Sequence, residues 1–287
     1  MSGLMLPRFI GCDACFDEAE IVVFGAGFDG TATYRPGSRF GPQAMRSEFY
    51  GLETYSPVLG RDLTDMAVCD GGDLELPFGN TSAALELISR TTAQITNAGK
   101  KPFIIGGEHL VTLPAFKVVL QKYPAVCLLQ LDAHTDLRDE YLGEQLSHSG
   151  VIRRIWDIVG DGRIWQLGIR SGMKEEFIWA GEGHTNMRLF DLSAAQEAVE
   201  ALTGTPVYLT IDLDVLDPSI MPGTGTPEPG GVAFTELQRA LCSFRELNIV
   251  AADVVELAPR LDQSGISTAV ACKIMRDVLL LMGGGQI

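Results

Sequence analysis

Eight short apolar or β-branched runs, with helical patterns between them, constrain the fold of this chain more than any other feature. They are Ile21–Phe24, Met66–Cys69, Pro102–Ile105, Val126–Leu131, Ile164–Leu167, Met187–Phe190, Val207–Ile211 and Ile249–Val255. Continuous apolar runs of this length suit strands covered on both faces, as in a parallel sheet. Between them, Phe234, Leu237, Leu241, Phe244 and Leu247 repeat at helical spacing. The stretches Ser82–Ile95, His109–Gln121 and Ser264–Leu281 read the same way. Strand–helix alternation without repeats or low-complexity tracts predicts an α/β protein: one three-layer α/β/α domain over residues 1–287, around a mostly parallel sheet.

Composition removes several classes of function. Hydrophobic residues make up 46% of the chain, enough for a sizeable core. The net charge of −15 makes nucleic acid and anionic membranes poor partners and favours a small cation or metal ions. No run approaches the roughly 20 apolar residues of a membrane span. The N-terminus lacks the basic-then-apolar pattern of a signal peptide. The six scattered cysteines read as reduced cytoplasmic thiols. The lone Cys12-Asp-Ala-Cys15 lacks the further ligands a metal or redox site needs.

Two acidic clusters end two of the apolar runs. Asp132-Ala-His134-Thr-Asp136 follows the seven residues Ala125–Leu131, and Asp212-Leu-Asp214 follows Val207–Ile211. Alternate side chains of an extended segment point the same way, so each cluster can face one point. Burying like charges together is costly unless cations neutralise them. Carboxylates with imidazole suit manganese, whereas structural zinc prefers sulfur-rich sets. With His109 of Gly106-Gly-Glu-His109 there are six candidate ligands, enough for two hard divalent cations. In such folds ligands bind beyond the carboxyl ends of the strands, where these residues fall.

Three further residues complete the reading. His148 is a candidate to protonate a leaving group. Glu256, at the end of a buried run, is a candidate acceptor for a planar cation. His184 has no such context and is expected at the surface. Gly25-Ala-Gly27-Phe-Asp-Gly30 matches a dinucleotide-binding fingerprint, but that motif needs a helix opening at its last glycine. Pro36, Gly37, Gly41 and Pro42 follow instead, so the segment reads as an active-site loop.

Taken together, these motifs resemble the ureohydrolase family of arginases and agmatinases. The resemblance rests on Gly106-Gly-Glu-His109, Asp132-Ala-His-Thr-Asp136 and Thr210-Ile-Asp-Leu-Asp-Val-Leu-Asp217-Pro218, which continues into Pro222–Gly231. It is extended by Arg35–Pro42 and Val255–Pro259, across nearly the whole chain. It implies an eight-stranded arginase-like α/β/α domain, two Mn²⁺ ions and a homotrimer or homohexamer. By position His109, Asp132, His134, Asp136, Asp212 and Asp214 would be the metal ligands. His148 would be the proton shuttle, Glu256 would face the guanidinium, and Asp136 would orient the reactive oxygen. Two departures are Glu108, where many relatives have Asp, and Ser149, where Gly is frequent.

The stretch Leu137–Leu146 lacks the Asn and Ser contacts that arginases usually offer to a substrate carboxylate. Its acids Asp139, Glu140 and Glu144 would repel such a substrate, with Arg138 opposing them. That stretch and Tyr34–Arg39 resemble the agmatinase branch, which implies hydrolysis of agmatine to putrescine and urea. The alternatives are the same chemistry on guanidinobutyrate, guanidinopropionate, guanidine or arginine, and a metal-binding regulatory protein without catalysis.

Overall fold

The computed structural model describes residues 8–283. Its centre is one sheet of eight strands: β1 Ile21–Ala26, β2 Val68–Asp73, β3 Lys101–Gly106, β4 Cys127–Leu131, β5 Ile164–Ile169, β6 Asn186–Leu189, β7 Pro206–Asp212 and β8 Asn248–Val255. They lie in the order β2-β1-β3-β8-β7-β4-β5-β6. Every neighbouring pair is parallel.

Each apolar run became a strand, for the reason that made it recognisable. Successive side chains of a strand point to opposite faces, and here both faces are covered. Ile21 and Val23 of β1 join one buried cluster, while Val22 and Phe24 join another. The first face is packed by α1 Gly41–Glu48, α6 Ala195–Leu202, α7 Phe234–Ser243 and α8 Ile266–Met282. The second is packed by α2 Thr81–Asn97, α3 Thr112–Lys122 and α4 Val151–Val159, with Trp179 of the short α5 Lys174–Trp179 beside them. The architecture is therefore the expected three-layer α/β/α arrangement.

Boundaries moved where polar residues carry the element. The run Met66–Cys69 marks only the start of β2, which continues through Asp70-Gly-Gly-Asp73. At the sheet edge this strand needs pairing on one side alone, so polar residues suffice. The helical pattern from His109 opens as a 3₁₀ turn, His109–Val111, before α3 begins at Thr112. No helix opens at Gly30. The chain instead runs through a 3₁₀ turn, Ser38–Phe40, into α1 at Gly41, with Pro42 in its first turn.

The loops after β3, β8, β7 and β4 meet above four adjacent strands. The chain visits these strands out of sequence order, leaving a crevice at their carboxyl ends. Among the described residues no helix is long and apolar enough to cross a membrane.

Candidate metal centre

The crevice holds a cavity of about 390 Å³ lined by His109, His134, Asp136, His148, Asp212 and Glu256, among others. Asp132 and Asp214 lie beneath it, 0% and 1% exposed. All eight side chains singled out in the sequence are thus brought to one place. Seven of them assemble because each sits at, or within a few residues of, the end of one of the four central strands, and His148 arrives from the long connection between β4 and α4.

The polar contacts leave one side of the cluster open. Asp132 Oδ1 accepts from the His134 amide at 2.6 Å, and Oδ2 from Gln130 Nε2 at 2.6 Å. Asp212 Oδ1 accepts from the Asp214 amide at 2.9 Å, and Asp214 Oδ1 from the Ala133 amide at 3.1 Å. The remaining oxygens of Asp212 and Asp214 face histidines. His109 Nδ1 lies 3.0 Å from Asp132 Oδ2, 3.0 Å from Asp136 Oδ2 and 3.4 Å from Asp212 Oδ2. His134 Nδ1 lies 2.9 Å from Asp214 Oδ2. Two triads that could each hold a metal ion share Asp132: His109–Asp132–Asp212 and Asp132–His134–Asp214.

His109 provides a direct test of fit. Its Nδ1 is buried, touches three carboxylates and makes no hydrogen bond. Its Nε2 lies 2.9 Å from Thr210 Oγ1, whose own hydrogen goes to Asp253 Oδ1 at 2.6 Å. Thr210 can then only accept from His109, so the neutral ring carries its proton on Nε2 and turns a bare Nδ1 into the cluster. Asp253 also accepts from Tyr208 and Thr112, which fixes it in place. A ligating histidine is held this way by a partner at its other nitrogen. The oxygen-rich donor set suits a hard or borderline divalent cation.

The electrostatics agree with the geometry. Burial, then the charges of Asp214 and Asp136, push the Asp132 carboxyl up to about 7. Burial and the neighbouring Asp214 also raise Asp212 well above the carboxylate range. Burial opposes charge on His134, but Asp214 and Asp132 overcome it and raise the ring to about 11. Without cations the cluster therefore retains protons that bound metal would displace. Asp136 and Glu256 also hold positive φ, 51° and 67°. Such backbone costs roughly 1–3 kcal/mol for a non-glycine residue and tends to gather at functional sites.

Glu256 Oε1 accepts from the His109 amide at 2.8 Å, and its carboxyl lines the cavity. Burial, then Glu108, raise it well above the carboxylate range. His148 begins the 3₁₀ turn preceding α4, and burial lowers its ring below the usual histidine value.

Two expectations need correction. Asp139, Glu140 and Glu144 do not line this cavity: all are exposed, and Asp139 bonds Arg154 of α4 at 2.6 Å. The members of that stretch that do line it are Arg138 and Tyr141, with the guanidinium 4.2 Å from the ring centre. His184 is not bare surface. It is half-buried, stacks on Trp179 at 4.4 Å and bonds Asp161 at 2.8 Å. Cys12 is buried and Cys15 exposed, and neither belongs to a candidate ligand cluster among the described residues. Sequence reasoning gave no individual role to Thr210, Asp253, Thr31 or Glu228, since what each of them faces is set only by the fold.

Comparisons with known proteins place the chain in a family. The family model described as the arginase family matches residues 19–281, so the chain belongs to that family. An agmatinase from Bacillus anthracis is 46% identical over 275 residues, covering 95% of each chain. A crystal structure from Clostridium difficile superposes with a TM-score of 0.92 at 52% identity, covering 94% of this chain and 99% of the other. The agmatine ureohydrolase of Thermoplasma volcanium has a TM-score of 0.88 at 31% identity, covering 97% and 95%.

Proposed function

We propose that the protein is a ureohydrolase that hydrolyses agmatine to putrescine and urea with two Mn²⁺ ions. The observation that carries this is the pair of triads sharing Asp132, set beneath a cavity that also holds Glu256 and His148. The similarity to agmatinases along nearly the whole chain supports the choice of substrate.

His109, Asp132, Asp136 and Asp212 would hold one cation, and Asp132, His134 and Asp214 the other. Bound there, the cations would neutralise the aspartates and make a water acidic enough to attack near neutral pH. Glu256 would receive the guanidinium, and the substrate's positive charge would keep that buried carboxylate ionised. Its backbone-anchored Oε1 fixes the side chain, so the substrate carbon is presented in one orientation. The attacking water gives up a proton to His148 as the new C–O bond forms; as the C–N bond breaks, its electron pair stays with the departing nitrogen, which takes that proton from His148. Glu228, also lining the cavity, is placed to attract the distal ammonium of agmatine.

The chain reads as one catalytic unit, with its shared sheet running unbroken from β2 to β6. Free cysteines support a cytoplasmic setting. Exposed Leu189 and Phe190 at the end of edge strand β6 support association between copies of the chain, which we take to be a homotrimer or homohexamer from the family resemblance.

A second reading is favoured by Arg138 in the same lining: a guanidino acid such as guanidinobutyrate, whose carboxylate the arginine would attract. Urea release from manganese-loaded protein over agmatine, guanidinobutyrate, guanidinopropionate, guanidine and arginine tests both. The expected result is preference for agmatine. Preference for an acid-bearing substrate would replace the tail assignment, and no urea from any of them would remove the reaction.

A further inference from the structure

The loop after β1, whose glycines imitate a nucleotide motif, has a different use. Gly27 packs where a Cβ would stand 2.5 Å from the Arg39 carbonyl oxygen, and a Cβ on Gly107 would stand 1.9 Å from that of Phe28. The glycines let this loop lie directly on the Gly106-Gly-Glu-His109 turn, bonded through the Glu108 amide to the Phe28 carbonyl at 2.6 Å. The result carries Thr31 to a position between Glu108 and His148.

The amide and every capacity of the hydroxyl of Thr31 are then occupied. Its amide donates to Glu108 Oε2 at 2.9 Å and its hydroxyl donates to Glu108 Oε1. The same hydroxyl oxygen accepts from the His148 amide at 3.1 Å and lies 3.4 Å from His148 Nδ1. A threonine hydroxyl has one hydrogen and two lone pairs. With the hydrogen given to Glu108 and one lone pair to the His148 amide, the other can only receive a hydrogen from Nδ1.

The geometry points to Thr31 and Glu108 as positioning residues that hold neutral His148 with its proton on Nδ1 and Nε2 bare. Nε2 is then the nitrogen that takes and returns protons in the cavity. A ring in the other tautomer presents an N–H that cannot accept. Glu108, fully buried, meets His148 only by way of Thr31. This inference rests on the reading of His148 as the proton-transfer residue.

The test uses metal-loaded protein and two variants, Thr31→Val and Thr31→Ser. Valine keeps the shape and removes the hydroxyl; serine restores it. Thr31→Val is expected to lower kcat roughly 10- to 100-fold, within the range of general acid–base effects. KM for agmatine and the metal content should stay near wild type. Thr31→Ser should recover most of the loss. Nitrogen-15 spectra of histidine-labelled, zinc-loaded protein at pH 8 supply a readout independent of turnover. The resonance that His148→Asn removes should show a protonated Nδ1 in wild type and Thr31→Ser, and a shift towards the other tautomer in Thr31→Val. Unchanged kcat in Thr31→Val, a wild-type ring protonated on Nε2, or an unchanged tautomer in Thr31→Val would each overturn the proposal. Should wild type release no urea from any guanidino compound, the proposed reaction fails, and the spectra alone decide the tautomer.

Discussion

His109 and His148 line one cavity, and each leans on a threonine whose hydrogen belongs to a buried acid. The device is shared and its consequence is opposite. Thr210 and Asp253 meet His109 at Nε2 and leave Nδ1 to the carboxylates. Thr31 and Glu108 meet His148 at Nδ1 and leave Nε2 free. The surroundings differ as well: His109 faces three aspartates, whereas His148 faces the cavity and is lowered by burial. On the proposed reading the same side chain would serve as a metal ligand or a proton carrier according to which nitrogen its support occupies.

Replacing the two rings should separate these roles most widely. His109→Asn is expected to lose a cation and several kcal/mol of transition-state stabilisation, roughly a thousandfold in kcat/KM. His148→Asn should lower kcat at full metal content. Metal analysis beside kinetics checks this, and lost metal in His148→Asn would erase the distinction.

The charge around His109 can be read without turnover. An acid whose folded pKa is raised binds its proton more tightly when folded, so its contribution is present below its unfolded value and lost as pH rises. Asp132, raised from 3.8 to about 7, therefore favours the fold below about pH 4 and loses that advantage up to about pH 7. His134, raised to about 11, works in the same direction, favouring the fold below its unfolded value near 6.5 and losing that contribution as pH climbs towards 11. Metal-free protein should lose stability between pH 4 and pH 8, on the order of a few kcal/mol. Added Mn²⁺ should reverse the trend while releasing protons at pH 7. Urea denaturation across that range measures it, and metal-free stability that rises over the same interval would contradict the assigned cluster.

A smaller effect is expected from Thr210→Val, which removes the support of His109 alone. Metal affinity should fall roughly 10- to 100-fold, the usual cost of losing a partner behind a ligand. Excess manganese should then restore activity. The same addition should not rescue Thr31→Val, and rescue of both would mean that Thr31 also acts through the metals.

Much of this contrast was legible in the sequence, and the reason it was incomplete is physical. Motifs such as Asp132-Ala-His-Thr-Asp136 concentrate ligands at strand ends, where period-2 geometry lets a linear pattern predict convergence. The strands were legible because burial on both faces leaves a continuous apolar record, which weakens at the two edge strands, β2 and β6. Thr31 and Glu108 are 77 residues apart and Thr210 and Asp253 are 43 apart, so each relay exists only after the sheet has assembled. The acids of Leu137–Leu146 misled because composition does not say which way a loop faces. Asp139 turned outward to Arg154, and the arginine of the same stretch turned inward.

The cavity lining therefore carries a weaker opposition of its own, between Glu228 and Arg138, and here the expected effects are smallest. Agmatine brings an ammonium that Glu228 attracts and Arg138 repels; guanidinobutyrate brings the reverse. A partly solvated charge pair contributes only about 0–1 kcal/mol, so Glu228→Gln should raise KM for agmatine up to about fivefold with kcat little changed. Arg138→Met should leave agmatine hydrolysis intact or slightly improved and weaken any turnover of guanidinobutyrate. The lining residue Tyr141 shields Arg138 by stacking on it, which reduces its pull on either substrate. Kinetics on both substrates for both variants measure the balance. If Glu228→Gln left the agmatine KM unchanged while Arg138→Met raised it, the arginine would be an organiser of the substrate tail and the charge argument at this end would be lost.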